Sequence, residues 1–522
     1  MRIPIAADSD KAQQAGTVPS VDELGLTGEL RLRAVRGSAW AFGSYFFCNI
    51  LRFGSNLVLA HVLFPEAFAL TALAGILLQA LQMFSDVGIE PAIVQHPRGN
   101  DPAFLNTAWT IQSLRGVILF LFTVALAWPA AQFYGADQLL WIVPACGLSF
   151  ITTGLQSTAV YTRARDIDLA AITVLALGET IVKTIITVIW ALLYPSVWAM
   201  IGGSLVSYIL YTIATHTLLG GRRNRFAWDV EAVRYLTRFG RWVLASTAIT
   251  FFATQIDRLI LGRIAPLEVL GVYTIAYMFS RLPADIGVRL AGQVQFPALA
   301  EVFRRDPALL GAKLIESRRM ILAVSQLGIV NIIIVAPWFF LTLYDNRYAA
   351  AATLAPMLCF AIWLAILQVS ADRALLAAGD ARTLAASNAA NLVFTVVGCS
   401  IGHTMAGMPG FILGVGIGNL AGHSVVAAVL FLRGVRIVGQ DLRYTGLVAV
   451  CTLPTVLLPS FQLEQKTLMF TRIGAGLIGS GLSIFCCYRV VGGLARSTLG
   501  GVLGKIKAGR AVHRANTSAR VL

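Results

Sequence analysis

The run "SRLPADIGVRL" (residues 280–290) sets Arg281, Asp285 and Arg289 four residues apart inside a stretch that is otherwise apolar. On a helix the three charges share one face. Such a face can offer guanidinium forks to an anion, or it can pair its arginines with its own carboxylate. A charge carried to a bilayer centre costs ~2.5–3.5 kcal/mol on insertion scales, so it tends to mark a cavity or a pathway. Other charges stand in similar surroundings. Arg52 and Arg115 each interrupt an apolar run, Glu179 and Lys183 stand four residues apart in another, and Asp86 and the Asp257-Arg258 pair lie near the ends of theirs.

The composition explains why these charges are conspicuous. Of 522 residues, 57% are hydrophobic and only 13% charged, with a mean hydropathy of +0.73. A soluble protein of this size has about 25% charged residues. The apolar blocks are roughly 20–25 residues long, the length a helix needs to cross a bilayer. Strand-like alternation is absent, which argues against an outer-membrane barrel. The expected fold is therefore an all-α polytopic membrane protein of about 14 transmembrane helices.

The expected organisation has six parts. Residues 1–36 form a cytoplasmic N-terminal tail, 37–219 a first lobe of six spans, and 220–240 a cytoplasmic connection. Residues 241–433 form a second six-span lobe, 434–489 two further spans, and 490–522 a basic cytoplasmic tail. Within the connection, Phe226, Val230, Val233 and Leu236 alternate with charge at helical spacing, which suggests an amphipathic helix at the interface.

Charge placement sets the orientation. With both termini in the cytoplasm, the loops on the opposite side carry only Arg263, Arg347 and Lys466, and most of the remaining basic residues fall on the cytoplasmic side. The net charge of +15 thus belongs to a membrane face rather than to a nucleic-acid site. Trp128, Tyr134, Trp141, Tyr194, Trp198, Trp338, Tyr344 and Tyr348 are expected at outer-side helix ends, and Trp228, Tyr235 and Trp242 at the inner interface. The polar, mixed-charge N-terminus does not read as a cleavable signal peptide. The seven cysteines all sit in apolar runs, without the spacing of a metal site or a disulfide framework.

Catalysis is not expected. The outer loops are too short to carry paired carboxylates for acid–base or metal chemistry, and no Walker loop, HExxH or GxSxG motif occurs. "GVGIGNLAG" (414–422) lies mid-helix, not after a strand, so it is not a dinucleotide site. Gly410, Gly414, Gly418 and Gly422 recur every four residues and suit close helix packing. An internal repeat also emerges: "FPEAFALTALA" (64–74) aligns with "PLEVLGVYTIA" (266–276), as expected of two parallel lobes with a substrate bound between them.

Four segments together carry a family resemblance: "LAHVLFPEAFAL" (59–70), "QMFSDVGIEPAIVQ" (82–95), "QIDRLILGR" (255–263) and "LGVYTIAYMFSRLPADIGVRLAGQVQFPAL" (270–299). They resemble the polysaccharide-transporter branch (Wzx-type flippases) of the multidrug/oligosaccharidyl-lipid/polysaccharide exporter superfamily. The resemblance runs from about residue 33 to 435. His61, Ala69 and Glu90 depart from the family pattern, which commonly has Arg, Gly and a small residue there.

The resemblance implies a flippase that moves undecaprenyl-pyrophosphate-linked oligosaccharides across the bacterial inner membrane, with no cofactor and no metal. Arg52, Arg281 and Arg115 are then the candidate contacts for the pyrophosphate, because an arginine fork can donate two hydrogen bonds to a phosphate. At 1.5 Å rise per residue each lies ~17–20 Å into its span. Asp285 would neutralise Arg281 or Arg289 in the empty state, while Asp86, Asp257 and Arg258 are candidates for gating. Glu179 and Lys183 are either a self-neutralising pair or a proton or cation site. The implied partners are the lipid-linked oligosaccharide, membrane lipids, and polysaccharide polymerase and export machinery.

Three rivals differ in their signatures. A multidrug exporter of the same superfamily would favour acids and aromatics over arginines, with twelve spans. A lipid II flippase would share the cationic cavity. A non-transporting scaffold of a polysaccharide assembly complex would tolerate loss of the buried charges.

Overall fold

The computed structural model describes residues 28–457 and 476–490, except 86–87, 97, 167 and 221–223. Asp86, the expected tails up to residue 27 and from 491, and the connection between the last two expected spans lie outside the described residues. Among the described residues the chain is helical, with no strand. Seven of its helices are long and apolar enough to cross a membrane, or eight if the pair Leu139–Gly154 and Ala159–Arg165, bent by 60°, counts as one span. With the relatives reported below, this makes the chain a multi-pass membrane protein.

The first set of helices comprises α1 (Gly28–Val62), α2 (Pro65–Phe84), α3 (Ile89–Gln95), α4 (Pro102–Tyr134), α5 (Leu139–Gly154), α6 (Ala159–Arg165), α7 (Leu169–Leu193) and α8 (Val197–Thr217). Local chemistry punctuates them. Pro65 opens α2 at a position where its missing N–H has no partner to lose. The expected second span is divided after Phe84, since Gly88 takes a left-handed φ of 63° before α3. Asp101 caps α4 by accepting from the Ala103 amide, and Gly135 ends it at φ 62°.

The second set runs through α9 (Val230–Ile264), α10 (Leu267–Leu290), α11 (Phe296–Arg305), α12 (Leu310–Leu343), α13 (Ala351–Ala377) and α14 (Ala381–Leu432), followed by α15 (Val438–Leu457) and α16 (Gly476–Val490). A π turn at Ala291–Gln295 separates α10 from α11. α14 is bent at Ala406-Gly407, where Gly407 adopts φ 60°, so it doubles back on itself. Its two arms touch through glycine: a Cβ on Gly402 would fall 2.1 Å from the Gly410 carbonyl oxygen.

The connection expected as one amphipathic helix is built in two parts. Residues 224–229 are extended, and Val230 already begins α9, capped by the Asp229 carboxylate. The extended strap lies along α4. Its amides at Arg225, Ala227 and Asp229 donate to Asn106 Oδ1, Thr110 Oγ1 and Thr107 Oγ1 at 3.1, 3.1 and 2.9 Å. Three side chains on one turn of α4 thus satisfy alternate amides, which is what holds the segment out of a helix. Arg98 then ties the strap down through Asp101, Asp229 and Glu231 at 2.7–3.0 Å.

The two sets meet chiefly where α2 lies against α9 and α10, the helices α2 and α10 being those that carry the sequence repeat. Gly271 permits the approach, because a Cβ there would stand 1.9 Å from the Pro65 carbonyl oxygen. Nearby, rings interlock across the junction. Phe53 meets Phe279 and Phe339 with centroids 5.3 and 5.2 Å apart, and Phe68 meets Tyr348 edge-on at 6.0 Å. Tyr348 Oη donates to the Leu63 carbonyl at 3.2 Å, and the Arg347 guanidinium lies 4.6 Å from the Phe64 ring centre. Tyr344 and Tyr348, expected at outer-side helix ends, do lie at the end of α12 and just before α13, and both are buried, whereas Trp128, Trp141, Tyr194 and Trp338 are exposed.

Candidate functional site: a polar cavity in the first helix set

Each of five helices turns a narrow polar stripe inward. On α1, Arg52, Ser55 and Asn56 share a face; on α7, Glu179, Thr180, Lys183, Thr184 and Thr187 do; on α8, Met200, Ser204 and Tyr208 follow at four-residue steps. α2 adds Thr71, and α5 adds Cys146 and Ser149. Together they enclose a cavity of about 530 Å³. Met278 of α10 is the one lining residue from the second set, and it accepts from Asn56 Nδ2 at 3.3 Å.

The cavity carries two cations, Arg52 and Lys183, and one carboxylate, Glu179. Lys183 Nζ stands 6.0 Å from the Tyr208 ring centre, and Ser207 Oγ donates to Glu179 Oε1 at 3.5 Å. Among the described residues no ion pair joins Glu179 to Lys183 or to Arg52, so the i,i+4 pair expected on α7 is not closed. Both cations line the cavity beside this carboxylate, in a pocket where most other polar groups are hydroxyls. That is a surface for a phosphate or a similar anion with hydroxyl-rich surroundings.

Arg281, Asp285, Asp257 and Arg258 gather elsewhere, around two tyrosines of α10. Arg281 Nε donates to Asp285 Oδ1 at 2.9 Å, and its Nη1 donates to Tyr277 Oη at 2.9 Å. The Arg258 guanidinium covers the other part of the picture: it lies 4.4 Å from the Tyr277 ring centre, against 5.8 Å for Arg281. Asp257 is buried and accepts from Tyr273 Oη at 2.7 Å. Arg281 sits one helical turn from Met278 but does not line the cavity. Arg289 is exposed near the end of α10.

Arg115 is also apart from the cavity. Its Nε donates to Ser85 Oγ at 3.0 Å and its Nη2 to the Gln82 carbonyl at 2.9 Å, so it caps the C-terminal end of α2. Glu90 is exposed in the first turn of α3. Of the charges singled out in the sequence, then, Arg52, Glu179 and Lys183 converge. Arg281, Asp285, Asp257 and Arg258 form a second cluster. Tyr208, Tyr273 and Tyr277 complete the two sites and carried no signal of their own.

Comparison with known proteins agrees with this architecture. A family model described as "Polysaccharide biosynthesis protein" matches residues 58–353. The amylovoran biosynthesis protein AmsL of Erwinia amylovora is 28% identical over 48% of this chain and 66% of its own length. The succinoglycan biosynthesis transport protein ExoT of Rhizobium meliloti is 24% identical over 50% of this chain and 53% of its own. For the lipopolysaccharide biosynthesis protein WzxC of Escherichia coli the values are 23%, 52% and 56%. The chain therefore spans between about half and two thirds of the curated relatives it matches.

Two solved structures share the fold. The lipid II flippase MurJ, in an inward closed conformation, superposes with a TM-score of 0.67 at 13% identity, over 87% of this chain and 99% of that one. An inward-facing multidrug resistance MATE family transporter of the MOP superfamily gives 0.59 at 14% identity, over 74% and 94%.

Proposed function

The chain belongs to the polysaccharide biosynthesis protein family, and from that premise we propose that it flips lipid-linked oligosaccharide repeat units across a bacterial inner membrane. The cargo is an undecaprenyl-pyrophosphate-linked oligosaccharide made for exopolysaccharide, capsule or O-antigen. The observation that carries this reading is the cavity in which Arg52 and Lys183 stand together among hydroxyls. An anhydride of two phosphates needs cationic compensation wherever it leaves water. Arg52 supplies a planar fork and Lys183 a point charge. The hydroxyls of Ser149, Thr180 and Ser204 suit the first sugar, while the polyprenyl tail remains in the bilayer.

The chain acts as a transporter rather than an enzyme, with about 14 spans arranged as two six-helix lobes plus two C-terminal helices. Supporting this are the break of α14 into two arms, the even number of spans between the repeats, and the charge bias that sets both termini in the cytoplasm. The lobes rock about the α2–α9–α10 junction. Arg281 and Arg258 line the route on the second lobe and meet the pyrophosphate as it leaves the first, Arg281 exchanging Asp285 for the phosphate. Polymerase and export proteins would receive the flipped unit.

The test is accumulation of lipid-linked repeat units in a host deleted for the gene. Wild type should clear the inner-leaflet pool, while Arg52→Ala and Lys183→Ala, present at normal levels, should not. If both variants restore glycan output fully, the cationic cavity has no part in transport.

A further inference from the structure

Among the described residues that line the cavity, Tyr208 alone is aromatic. It follows Ser204 by one helical turn, so α8 turns a hydroxyl and a ring toward the same space. The side chain is partly buried, and its phenol oxygen has no hydrogen-bond partner among the described residues. Other tyrosines of the chain are satisfied: Tyr273 donates to Asp257 at 2.7 Å, and Tyr348 to the Leu63 carbonyl at 3.2 Å. A phenol that lines a cavity without such a partner points to a ligand.

The cations decide which part of a ligand reaches the ring. Lys183 Nζ stands 6.0 Å from the ring centre, at the outer limit of a cation–π contact, so the ammonium does not cover the ring. A phosphate held by Lys183 then lies beside an open aromatic surface, about one sugar ring's width away. In a glycosyl pyrophosphate the first sugar hangs from its phosphate through a single oxygen, so it falls at that distance. The face of a hexopyranose is a sheet of C–H groups with partial positive charge, and its hydroxyls project from the rim. Such a face suits the electron-rich face of a phenol ring, as the edge of another aromatic ring does. The rim then meets hydroxyls of the cavity wall. Ser204 Oγ already donates to the Met200 carbonyl at 2.8 Å, and Thr180 Oγ1 to the Ala176 carbonyl at 2.9 Å. Both oxygens are left as acceptors for sugar hydroxyls.

We propose that Tyr208 is the stacking platform for the first sugar of the cargo. It makes the cavity prefer a glycosylated polyprenyl pyrophosphate to the bare carrier, so that a loaded carrier is told from an empty one. This rests on the reading of Arg52 and Lys183 as the pyrophosphate site.

Native mass spectrometry of the full-length protein, offered undecaprenyl pyrophosphate and undecaprenyl-pyrophosphoryl-glucose in equal amounts, reads the preference as a ratio of bound species. Glucose is the probe because its equatorial hydroxyls leave both ring faces as C–H. The wild type should favour the glucosylated lipid by roughly tenfold. Tyr208→Leu keeps bulk but loses the ring, and should bring the ratio to about one to two. Tyr208→Phe keeps the ring and should lie between them. Arg52→Ala should weaken both lipids together.

A wild-type ratio of one, an unaltered ratio in Tyr208→Leu, or a fall in Tyr208→Phe as deep as in the leucine variant would each overturn the stacking platform and leave the pyrophosphate site standing. A wild type that binds neither lipid would remove that site, and this inference with it. The wild-type ratio is decisive by itself, so the test survives a leucine variant that fails to fold.

Discussion

At the scale of single residues, chemistry was easiest to read where it violated its surroundings. Arg52, Glu179 and Lys183 stand out because a charge inside an apolar run is expensive, and all three line the cavity. Tyr208 and Ser204 line the same cavity and were not legible. Hydroxyls are common in such helices, where they bond to the preceding turn, as Ser204 Oγ does to the Met200 carbonyl at 2.8 Å. Arg115 was legible as a charge but not as a helix cap, because its partners at Gln82 and Ser85 lie on another helix. Two predictions belong here. Arg52→Lys should retain part of the export activity and Arg52→Ala little, since only the fork makes paired bonds to a phosphate; repeat-unit clearance in the deleted host separates them. Glu179→Gln removes the only carboxylate among the lining residues, so apparent affinity for a pyrophosphate-bearing lipid should rise, by roughly the fivefold or more expected from deleting a nearby like charge. Equal binding in nanodisc titrations would mean Glu179 does not face the anion.

Helix existence was legible from length and apolarity, whereas helix ends and breaks were decided by partners distant in sequence. The strap at 224–229 shows why. It opens the helical periodicity of the 220–240 connection with Phe226, yet Asn106, Thr107 and Thr110 offer its amides bonds that a helix would forbid. The Arg98 clamp beside it predicts an acid response. Hydrogen bonding from Arg98, with help from the Ala103 amide, holds the Asp101 carboxyl below its ordinary value of 3.8. The stability that this depression contributes is complete above that ordinary value and drains away as pH falls through the lowered one. Thermal midpoints followed from about pH 7 to pH 3 should therefore fall more steeply for the wild type than for Arg98→Ala. Parallel curves would show that the clamp is not what responds. Close approach of α2 and α10 yields another test. Gly271→Val pushes a side chain into the Pro65 carbonyl, so α2 and α10 should separate there and the thermal midpoint should drop, by an amount equivalent to about 1–3 kcal/mol of overpacking. An unchanged midpoint would mean that the junction yields without loss.

Over the whole molecule, the ring cluster from Phe53 to Phe68 by way of Phe279, Phe339, Tyr344 and Tyr348 closes one end of the junction between the two helix sets. The sequence places Tyr344 and Tyr348 at outer-side helix ends, where aromatic residues usually meet the membrane interface. Their burial, with Tyr348 against Phe68 and the Leu63 carbonyl, depends on partners far away in sequence and was not legible there. Cys146, which lines the cavity, offers a reporter of this closure. In a variant retaining that cysteine alone, Arg347→Ala/Tyr348→Phe should speed its modification by a membrane-impermeant thiol reagent added from the sealed side. No change in rate would relieve the seal of any role in access. The cavity itself has a thermodynamic consequence. Apart from Met278, its walls belong to helices of the first set, so under the rocking motion proposed above a ligand bound there would make nearly the same contacts in either orientation. A ligand with no differential affinity shifts no equilibrium, however tightly it binds. Grip and turnover are thereby uncoupled: strengthening the hold of Arg52 and Lys183 would raise occupancy and leave the resting ratio of the two orientations where it was.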